Sequence, residues 1–325
     1  MATKFEAREI TPDEFEIWDK LVSNYGTIFQ SIRWTKIFEP NIKRIGIYDK
    51  GGNLRGGFCY FEEHKFGLKI FRNPPFTPNI GPFYEKLAKN PAAKNNEQRE
   101  VVKAMVEYIE KQKPALVSLS LVPEVVDGMP FYWRDYKVMM FYTYRIYLQD
   151  IDFDVKKIIS SKLRHHIRKA LKDGLEVREE FDINILKSHV LATFVRQNKR
   201  FPKSTMEKIL SAFLPGTNSF LLITRRNDNP IASVYCVYDN QIAYRLLSGY
   251  DQKRAHHGAV AIAGYQAILK AKEINLKIFD FEGSMIRAIE EQRREFGAKL
   301  TPYIRVNKAF LPLEILLKFY KRQLF

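Results

Sequence analysis

Two acidic residues in the last quarter of the chain have the spacing of a chemical site. Asp280 and Glu282 flank Phe281 in the segment FDFEGS, which overlaps the end of the apolar run at 276–281. Successive strand residues point to opposite faces, so both carboxylates are predicted on one face, opposite Phe281. A carboxylate at the end of a strand can orient an amine or accept its proton through water. The alternative interpretation is a structural carboxylate that caps the following helix.

Basic residues dominate the charge of the chain. The formal net charge is +16, which favours anionic partners such as nucleic acid, phosphate-bearing substrates or an anionic membrane surface. Segment 155–174, VKKIISSKLRHHIRKALKDG, predicts a basic helix with Asp154 as its N-cap. Arg164 and Arg168 lie on its charged side, which could follow an RNA backbone or lie on an anionic bilayer. The alternative is an ordinary solvated face.

Covalent and metal-dependent chemistry receive no support from the sequence. There is no Gly-x-Ser-x-Gly motif, and neither cysteine has a recognisable Cys/His context. The doublets His165–His166 and His256–His257 lack the spacing of metal ligands. We therefore expect no metal and no covalent enzyme intermediate.

The elements that would position these residues occur twice. Segments 45–61 and 222–238 each contain an apolar run, a polar turn and an apolar, aromatic run, which predicts a hairpin. Each hairpin is followed by a predicted helix, at about 97–112 and 258–272, and by strands at 116–121 and 276–281. Cys59 and Cys236 occupy matching places, so we expect both to be buried core residues. The pattern predicts two copies of one unit, each a mixed β-sheet flanked by helices.

Length and targeting signals favour a two-domain protein of the cytoplasm. No apolar run approaches the ~20 residues that cross a bilayer, and the N-terminus is polar rather than signal-like. The polar and basic stretch between the repeats places the domain boundary near residues 145–180. We set the predicted domains at 1–148 and 149–325.

Several motifs, taken in order, resemble the FemAB-like family of the GNAT superfamily. No single motif is specific, but together they span nearly the whole chain. They are GTIFQSIRW at 26–34, TYRIYL at 143–148 with SKLRHHIRKA at 161–170, Gly258 with its apolar helix, FDFEGS at 279–284 and RREFGA at 293–298.

This resemblance implies a fold and an activity. The fold is α/β of the mixed type, with two tandem GNAT-like units, the first on the acceptor side and the second carrying the acyl donor and the catalytic residues. The activity is transfer of an aminoacyl group from aminoacyl-tRNA to an amine of a lipid-linked or nucleotide-linked peptidoglycan precursor. No cofactor is implied beyond the acyl donor itself.

The resemblance also implies residue roles. Arg293 stands where the family has a lysine, so a cation there would stabilise the tetrahedral oxyanion or hold a phosphate. Arginine is a poor proton donor, which argues against acid catalysis by this residue. The implied substrate contacts, each also interpretable as an ordinary surface or packing residue, are Trp34, Lys36, Tyr84, Lys203 and Phe296.

The donor-binding loop favours aminoacyl-tRNA over acyl-CoA. CoA-dependent GNAT enzymes bind pyrophosphate with a Q/R-x-x-G-x-G/A loop at a helix N-terminus. The corresponding stretch here, QKRAHHGA at 252–259, keeps Arg254 and Gly258 but not the glycine spacing. Together with Arg164 and Arg168, these residues are the predicted contacts to donor or RNA.

Three functional hypotheses remain open. The first is the FemAB-like aminoacyltransferase, and the second is an acyltransferase that uses acyl-CoA or an acyl carrier and acts on an amino sugar or another small amine. The third is a non-catalytic GNAT scaffold that binds nucleic acid or membrane. The C-terminal segment 309–325 predicts a helix near Pro312 that either packs on its domain or inserts shallowly at the inner face of an anionic membrane.

Overall fold

The computed structural model describes residues 4–149, 154–196, 201–283, 285–321 and 323–324. The chain forms two compact units. Unit 1 contains residues 1–141 and 302–325, and unit 2 contains residues 142–301.

The described residues form strands and helices with the following bounds. The strands are β1 (Glu6–Glu9), β2 (Ile42–Tyr48), β3 (Leu54–Lys65), β4 (Leu68–Arg72), β5 (Phe83–Tyr84), β6 (Leu116–Ser120), β7 (Lys137–Tyr147), β8 (Leu175–Glu179), β9 (Ser219–Arg226), β10 (Asn229–Tyr238), β11 (Ile242–Tyr250), β12 (Ile278–Asp280) and β13 (Lys299–Ala309). The helices are α1 (Phe15–Tyr25), α2 (Ile32–Lys36), α3 (Pro91–Lys111), α4 (Met129–Tyr132), α5 (Val155–Ile158), α6 (Ser161–Lys172), α7 (Ile183–Arg196), α8 (Lys203–Ala212), α9 (Ala259–Glu273), α10 (Arg287–Arg294) and α11 (Leu311–Lys321).

Unit 1 is a mixed sheet in the order β1-β2-β3-β4-β6-β13, with β5 added beside β3. Strands β4 and β6 are parallel, and the other neighbours along this order are antiparallel. Helix α3 lies in the connection between β4 and β6, and its apolar face packs on the sheet. That core includes Val101, Met105 and Ile109 of α3 with Ile47, Phe58, Phe71 and Leu119 of the strands.

Unit 2 repeats this arrangement in the order β8-β9-β10-β11-β12-β7. Strands β11 and β12 are parallel and are connected through α9, as β4 and β6 are through α3. Helix α9 is buried along most of its length, as the sequence predicted, because its many alanines let it lie close to the sheet. At its start, a Cβ on Gly258 would lie 2.5 Å from the His166 carbonyl oxygen of α6, so only glycine fits there.

The predicted repeat is therefore confirmed. Both hairpins form, with Ile45 opposite Phe58 in unit 1 and Leu222 opposite Val234 in unit 2. Cys59 on β3 and Cys236 on β10 are both buried. The predicted fold class, a mixed sheet flanked by helices in each of two tandem units, is confirmed as well.

Two local expectations are corrected. The basic segment 155–174 is not one helix, because Ile159 is extended (ψ 149°) and separates α5 from α6. Asp154 caps only α5, and Ser160 caps α6 by accepting a hydrogen bond from the Leu163 amide. Residues 302–325 pack in unit 1 rather than with the residues that precede them, because β13 pairs with β6, with Arg305 opposite Ser120. The limits 1–148 and 149–325 are thus not the limits of the two compact units.

The buried thiols give a direct test of the repeat. Burial raises the pKa of Cys59 to about 12 and raises the pKa of Cys236 further. We expect neither thiol to react with Ellman's reagent in the native protein at pH 8, because the nucleophile is the thiolate. Both should react after unfolding in guanidinium chloride. A Lys50→Cys variant, at an exposed turn of unit 1, is the positive control for native reactivity. Stoichiometric native labelling of either natural thiol would contradict the burial.

Candidate active site

A buried carboxylate at the end of β12 organises a polar cluster in unit 2. The carboxylate of Asp280 accepts hydrogen bonds from Thr143 Oγ1 at 2.5 Å and from Arg145 Nε at 2.7 Å. It also accepts the amide N–H of Glu282 at 2.8 Å. Both of its oxygens are therefore engaged, so Asp280 serves to position its neighbours.

Arg145 and Asp280 form an ion pair that is almost closed to solvent. Their side chains are 3% and 5% exposed, and the two residues are opposite each other in the antiparallel pairing of β7 with β12. Removing water from two charges is costly, and good geometry with further hydrogen bonds offsets that cost. The Thr143 hydroxyl and the Glu282 amide supply those further bonds to the carboxylate.

Glu282 occupies a left-handed turn directly after β12. Its φ of 58° is unfavourable for a residue with a side chain. Its backbone N–H and its backbone C=O both make hydrogen bonds. The amide donates to Asp280, and the carbonyl accepts a hydrogen bond from Nη1 of Arg293. Backbone conformations of this kind persist where the surroundings enforce them, and they concentrate at functional sites.

The surroundings of Glu282 favour the protonated form of its side chain. Its Oε1 is fully enclosed and has no hydrogen-bond partner among the described residues. Burial, and secondly the nearby charge of Asp280, raise the pKa of this carboxyl well above its ordinary value, against the opposing effect of Arg293. Such an acid is unusual in a structural role, because an enclosed polar atom without a partner destabilises the fold.

Arg293 reaches Glu282 from α10, and the residues after this helix anchor it. Phe296 is fully buried against Phe281, with ring centroids 5.0 Å apart. Gly297 has φ 70°, and a Cβ there would lie 2.1 Å from the Ile158 carbonyl oxygen. The Phe-Gly pair thus fixes the end of α10 and, through it, the Arg293 side chain.

Hydrogen bonds to Glu290 in α10 and to Glu295, the residue directly after α10, hold this helix in place. Tyr144 donates to Glu290 at 2.5 Å, and burial together with this bond raises the pKa of Tyr144 to about 12. Ser160 donates to the carboxylate of Glu295, and its amide donates to the Glu295 carbonyl at 2.9 Å. The position of Arg293 therefore depends on β7 and on the segment between α5 and α6.

A third arginine of the cluster, Arg245, was not predicted from the sequence. Arg245 lies in the middle of β11, is 8% exposed, and has the Phe281 ring 6.0 Å from its guanidinium carbon. Burial, and secondly the nearby charge of Arg293, lower the pKa of Arg245 to about 10. A lone cation within the apolar strand IAYRLLSGY was the available signal.

The candidates in unit 1 divide into a surface cation and buried aromatic residues. Lys36 is exposed, with its ammonium 5.8 Å from the centre of the Phe15 ring. Trp34 is fully buried, and its indole N–H donates to Thr77 at 3.0 Å, which gives it a packing role and leaves no surface for a substrate. Tyr84 is 8% exposed and accepts a hydrogen bond from Gln98 at 3.3 Å.

The remaining candidates in unit 2 lie outside the cluster. Lys203 and Arg254 are exposed and pair weakly with Glu207 and Asp251. Arg164 donates to the Ile159 carbonyl at 2.9 Å, so it caps the chain between α5 and α6. Arg168 is exposed on α6, and Gly258 is the close-packing glycine at the start of α9.

The described residues contain neither a cluster of metal ligands nor a helix that could span a membrane. No group of three or more His, Cys, Asp or Glu side chains in the described parts of the chain could hold a metal ion. Within the same residues, every helix is too short or too polar to cross a bilayer.

The family comparison supports the predicted class. Residues 161–288 match the acetyltransferase (GNAT) domain model, which covers α6 through the start of α10. The prediction of a GNAT-type acyltransferase is confirmed at the level of this domain. No curated protein sequence matches the chain significantly.

Solved structures extend the likeness to the whole chain. The fold is similar to that of FemX, with TM-score 0.65 and 13% identity, over 92% of this chain and 96% of FemX. It is also similar to the C-terminal domain of a putative lysylphosphatidylglycerol synthetase from Agrobacterium fabrum (TM-score 0.60, 12% identity, 94% and 95% covered). A third similar structure is that of a tandem GNAT protein from the clavulanic acid biosynthesis pathway, with TM-score 0.53 and 10% identity over 94% of this chain and 98% of that protein. At these identities the likeness is one of fold, and at that level it confirms the resemblance to FemAB-like GNAT proteins.

The Asp280 network makes a stability prediction. We expect Asp280→Asn to lower the free energy of unfolding by about 3–5 kcal/mol, because it leaves the buried Arg145 guanidinium without its counter-charge. The control is Arg287→Ala, which removes an exposed ion pair with Glu291 of similar length, 2.9 Å. That control should change stability by less than about 0.5 kcal/mol. Urea unfolding followed by circular dichroism measures both. Equal midpoints for Asp280→Asn and wild type would refute the anchoring role.

Proposed function

We propose that this protein transfers an aminoacyl group to an amine of a cell-wall precursor, in the manner implied by its FemAB-like resemblance. The observation that carries the proposal is that the enclosed Oε1 of Glu282 and the guanidinium of Arg293 meet at one turn, where Nη1 of Arg293 donates to the Glu282 backbone carbonyl. Amide formation needs a group that takes a proton from the attacking amine and a cation that meets the developing oxyanion.

The proposed reaction assigns one step to each residue. The neutral amine attacks the carbonyl carbon of the aminoacyl ester, forming the C–N bond, and the guanidinium of Arg293 stabilises the resulting oxyanion. The ionised carboxylate of Glu282 accepts the proton from the amine nitrogen. The carbonyl then re-forms as the C–O bond to the ribose breaks, and the leaving oxygen takes up the proton that Glu282 had accepted, which returns Glu282 to its carboxylate form. Asp280 has no free oxygen for such a step, so its role is to orient the Glu282 turn.

The start of α9 supports an aminoacyl ester as donor over acyl-CoA. The Gly258 amide donates to Nδ1 of His256 at 3.0 Å, and the Ala259 amide donates to the His256 carbonyl at 3.0 Å. Amides already bonded within the loop are not available to a pyrophosphate. The alternative donor, acyl-CoA, keeps support from the acetyltransferase description of the family model that matches residues 161–288.

Parallel assays separate the donors and test the residues. Charged tRNA and acetyl-CoA would each be incubated with an amine-bearing precursor peptide, and the amide product quantified by mass spectrometry. We expect product from charged tRNA, and a fall in turnover of roughly 10²–10³-fold for Arg293→Ala, because one oxyanion contact is lost. The control is Arg294→Ala, which removes the neighbouring exposed cation and should keep near-normal turnover.

The pH profile tests Glu282 separately. Because its pKa is raised, the carboxylate form becomes populated only as the pH rises. Wild-type turnover should therefore increase with pH through that raised pKa, and Glu282→Gln should lose both the increase and most of the activity. Product from acetyl-CoA alone would favour the second hypothesis. Absence of product with every donor, in folded protein, would favour the non-catalytic scaffold.

A peripheral membrane contact is the second part of the proposal. Helix α11 exposes several large apolar residues. These are Leu311, Ile315, Leu316, Phe319 and Tyr320, exposed by 50–82%. With the basic excess of the chain, such a helix suits shallow insertion at an anionic bilayer, where a lipid-linked precursor would be met.

Vesicle binding tests this contact without truncating the chain. A truncation is avoided because the Leu324 carbonyl accepts a hydrogen bond from Asn307, which lies in the core of unit 1. We expect Phe319→Ser/Tyr320→Ser to reduce recovery with anionic vesicles, and Phe66→Ser, at a fully exposed turn, to leave it unchanged. Neutral vesicles and two salt concentrations separate apolar insertion from charge attraction. Equal recovery of all three proteins would eliminate the contact.

A further inference from the structure

An open apolar cavity lies in unit 1 beside the first residues of the β13 segment that belongs to this unit. Its volume is about 410 Å³, within the range of roughly 300–1,000 Å³ that is typical of ligand sites. The residues that line it come from the loop before α4, from α4 itself, from β7 and from β13, and all of them belong to unit 1. None of the described residues that line it is part of the Asp280 cluster.

The charged group and the loop amides of the cavity wall already have partners in the fold. Among the described residues of the lining, Asp127 alone is charged, and its carboxylate accepts hydrogen bonds from Arg99 Nε at 2.8 Å and from the Met129 amide at 3.0 Å. The amides of Val126 and Asp127 donate to Gln98 of α3, both at 3.1 Å. An occupant would therefore meet no unpaired charge on this wall, which favours an uncharged, apolar occupant.

The same contacts fix the loop before α4 and leave apolar side chains of the cavity exposed. Val126 of the loop is 79% exposed, and Met140 of β7 is 58% exposed. Gly128 fits closely on the neighbouring strands, because a Cβ there would lie 2.9 Å from Val138 and 3.3 Å from Ile304. The cavity is thus formed by the fold itself, and it presents large apolar side chains to solvent, as binding sites do.

Three methionines give the cavity an adaptable wall. Met129, Met139 and Met140 all line it. Methionine is unbranched, with several rotatable bonds and a polarizable sulfur, so these side chains can adjust to the shape of a flexible ligand. Tyr132 also lines the cavity and is 65% exposed, and tyrosine is enriched where an apolar region meets water. These features fit a flexible aliphatic chain with a polar head in solvent better than a rigid or charged ligand.

We propose that this cavity of unit 1, lined by Met129, Met139 and Met140, binds the aliphatic chain of an amphiphile. The chain lies against the loop before α4 and the facing residues of β7 and β13, and the polar head remains in solvent near Tyr132. Affinity comes from the removal of the chain and the exposed side chains from water. The site does not depend on the proposed aminoacyl transfer, whose residues belong to unit 2.

NMR of isotope-labelled methionine methyl groups tests the site directly. We expect decyl maltoside, below its critical micelle concentration, to shift the methyl resonances of Met129, Met139 and Met140. Maltose, the same head group without a chain, should shift none of them. Met105, buried in the core of unit 1, and Met285, exposed in unit 2, are internal controls whose resonances should not move. Single substitutions to leucine assign the signals.

A charge placed in the cavity tests its apolar character. We expect Met140→Asp to weaken decyl maltoside binding by at least roughly tenfold, because the new carboxylate loses water when the chain enters. The matched control is Met285→Asp, which replaces a methionine of nearly equal exposure, 59% against 58%, and should bind as wild type does. Isothermal titration calorimetry measures the Kd of all three proteins.

Each opposing outcome has a distinct meaning. Equal Kd values for wild type and Met140→Asp, or no selective shift of the three cavity methionines, would overturn the site. Selective shifts with naphthoate but not with decyl maltoside would overturn the aliphatic assignment in favour of a rigid ring. Shifts that grow with protein concentration in the absence of ligand would mean that a second copy occupies the cavity, which also overturns the proposal. If Met140→Asp does not fold, the wild-type spectra decide alone. A positive result in a protein without aminoacyl transfer would retain this site and reject the proposed function.

Discussion

The carboxylate of Asp280 is the interaction on which the candidate site depends. It receives hydrogen bonds from two residues of β7 and from the Glu282 amide, so it joins a neighbouring strand to the turn that follows β12. Because the turn has a left-handed residue, the backbone would relax without this acceptor. The enclosed carboxyl of Glu282 and the hydrogen bond from Arg293 both follow from that turn.

Three buried ionisable groups of unit 2 stand in different electrostatic states. Arg145 is paired with Asp280, Arg245 is charged and has no ion-pair partner among the described residues, and Glu282 favours its neutral form because it is buried. Only the first arrangement contributes to a stable fold. The other two oppose stability, and groups of this kind are retained where chemistry requires a perturbed pKa or an unsatisfied charge.

The sequence predicted what local patterns encode. The hairpins, the buried cysteines and the apolar helix α9 follow from alternation and helical periodicity, which act over a few residues. The break at Ile159 was missed because a Ser160 cap competes with a long amphipathic pattern. The pairing of β13 with β6 joins residues far apart in the chain, which no local pattern reports. For the same reason, the hydrogen bonds from Thr143 and Arg145 to Asp280 became evident only in three dimensions.

Strand β13 in the unit 1 sheet and strand β7 in the unit 2 sheet limit where the chain can be divided. Strand β7 precedes the other strands of the unit 2 sheet, whereas β13 follows all the others of the unit 1 sheet. A cut after residue 148 would leave β6 without β13 in one fragment and β12 without β7 in the other. Each fragment would then present an unpaired strand edge, the kind of surface through which chains aggregate or exchange segments. Despite the internal repeat, neither sheet is therefore encoded by one continuous half of the chain.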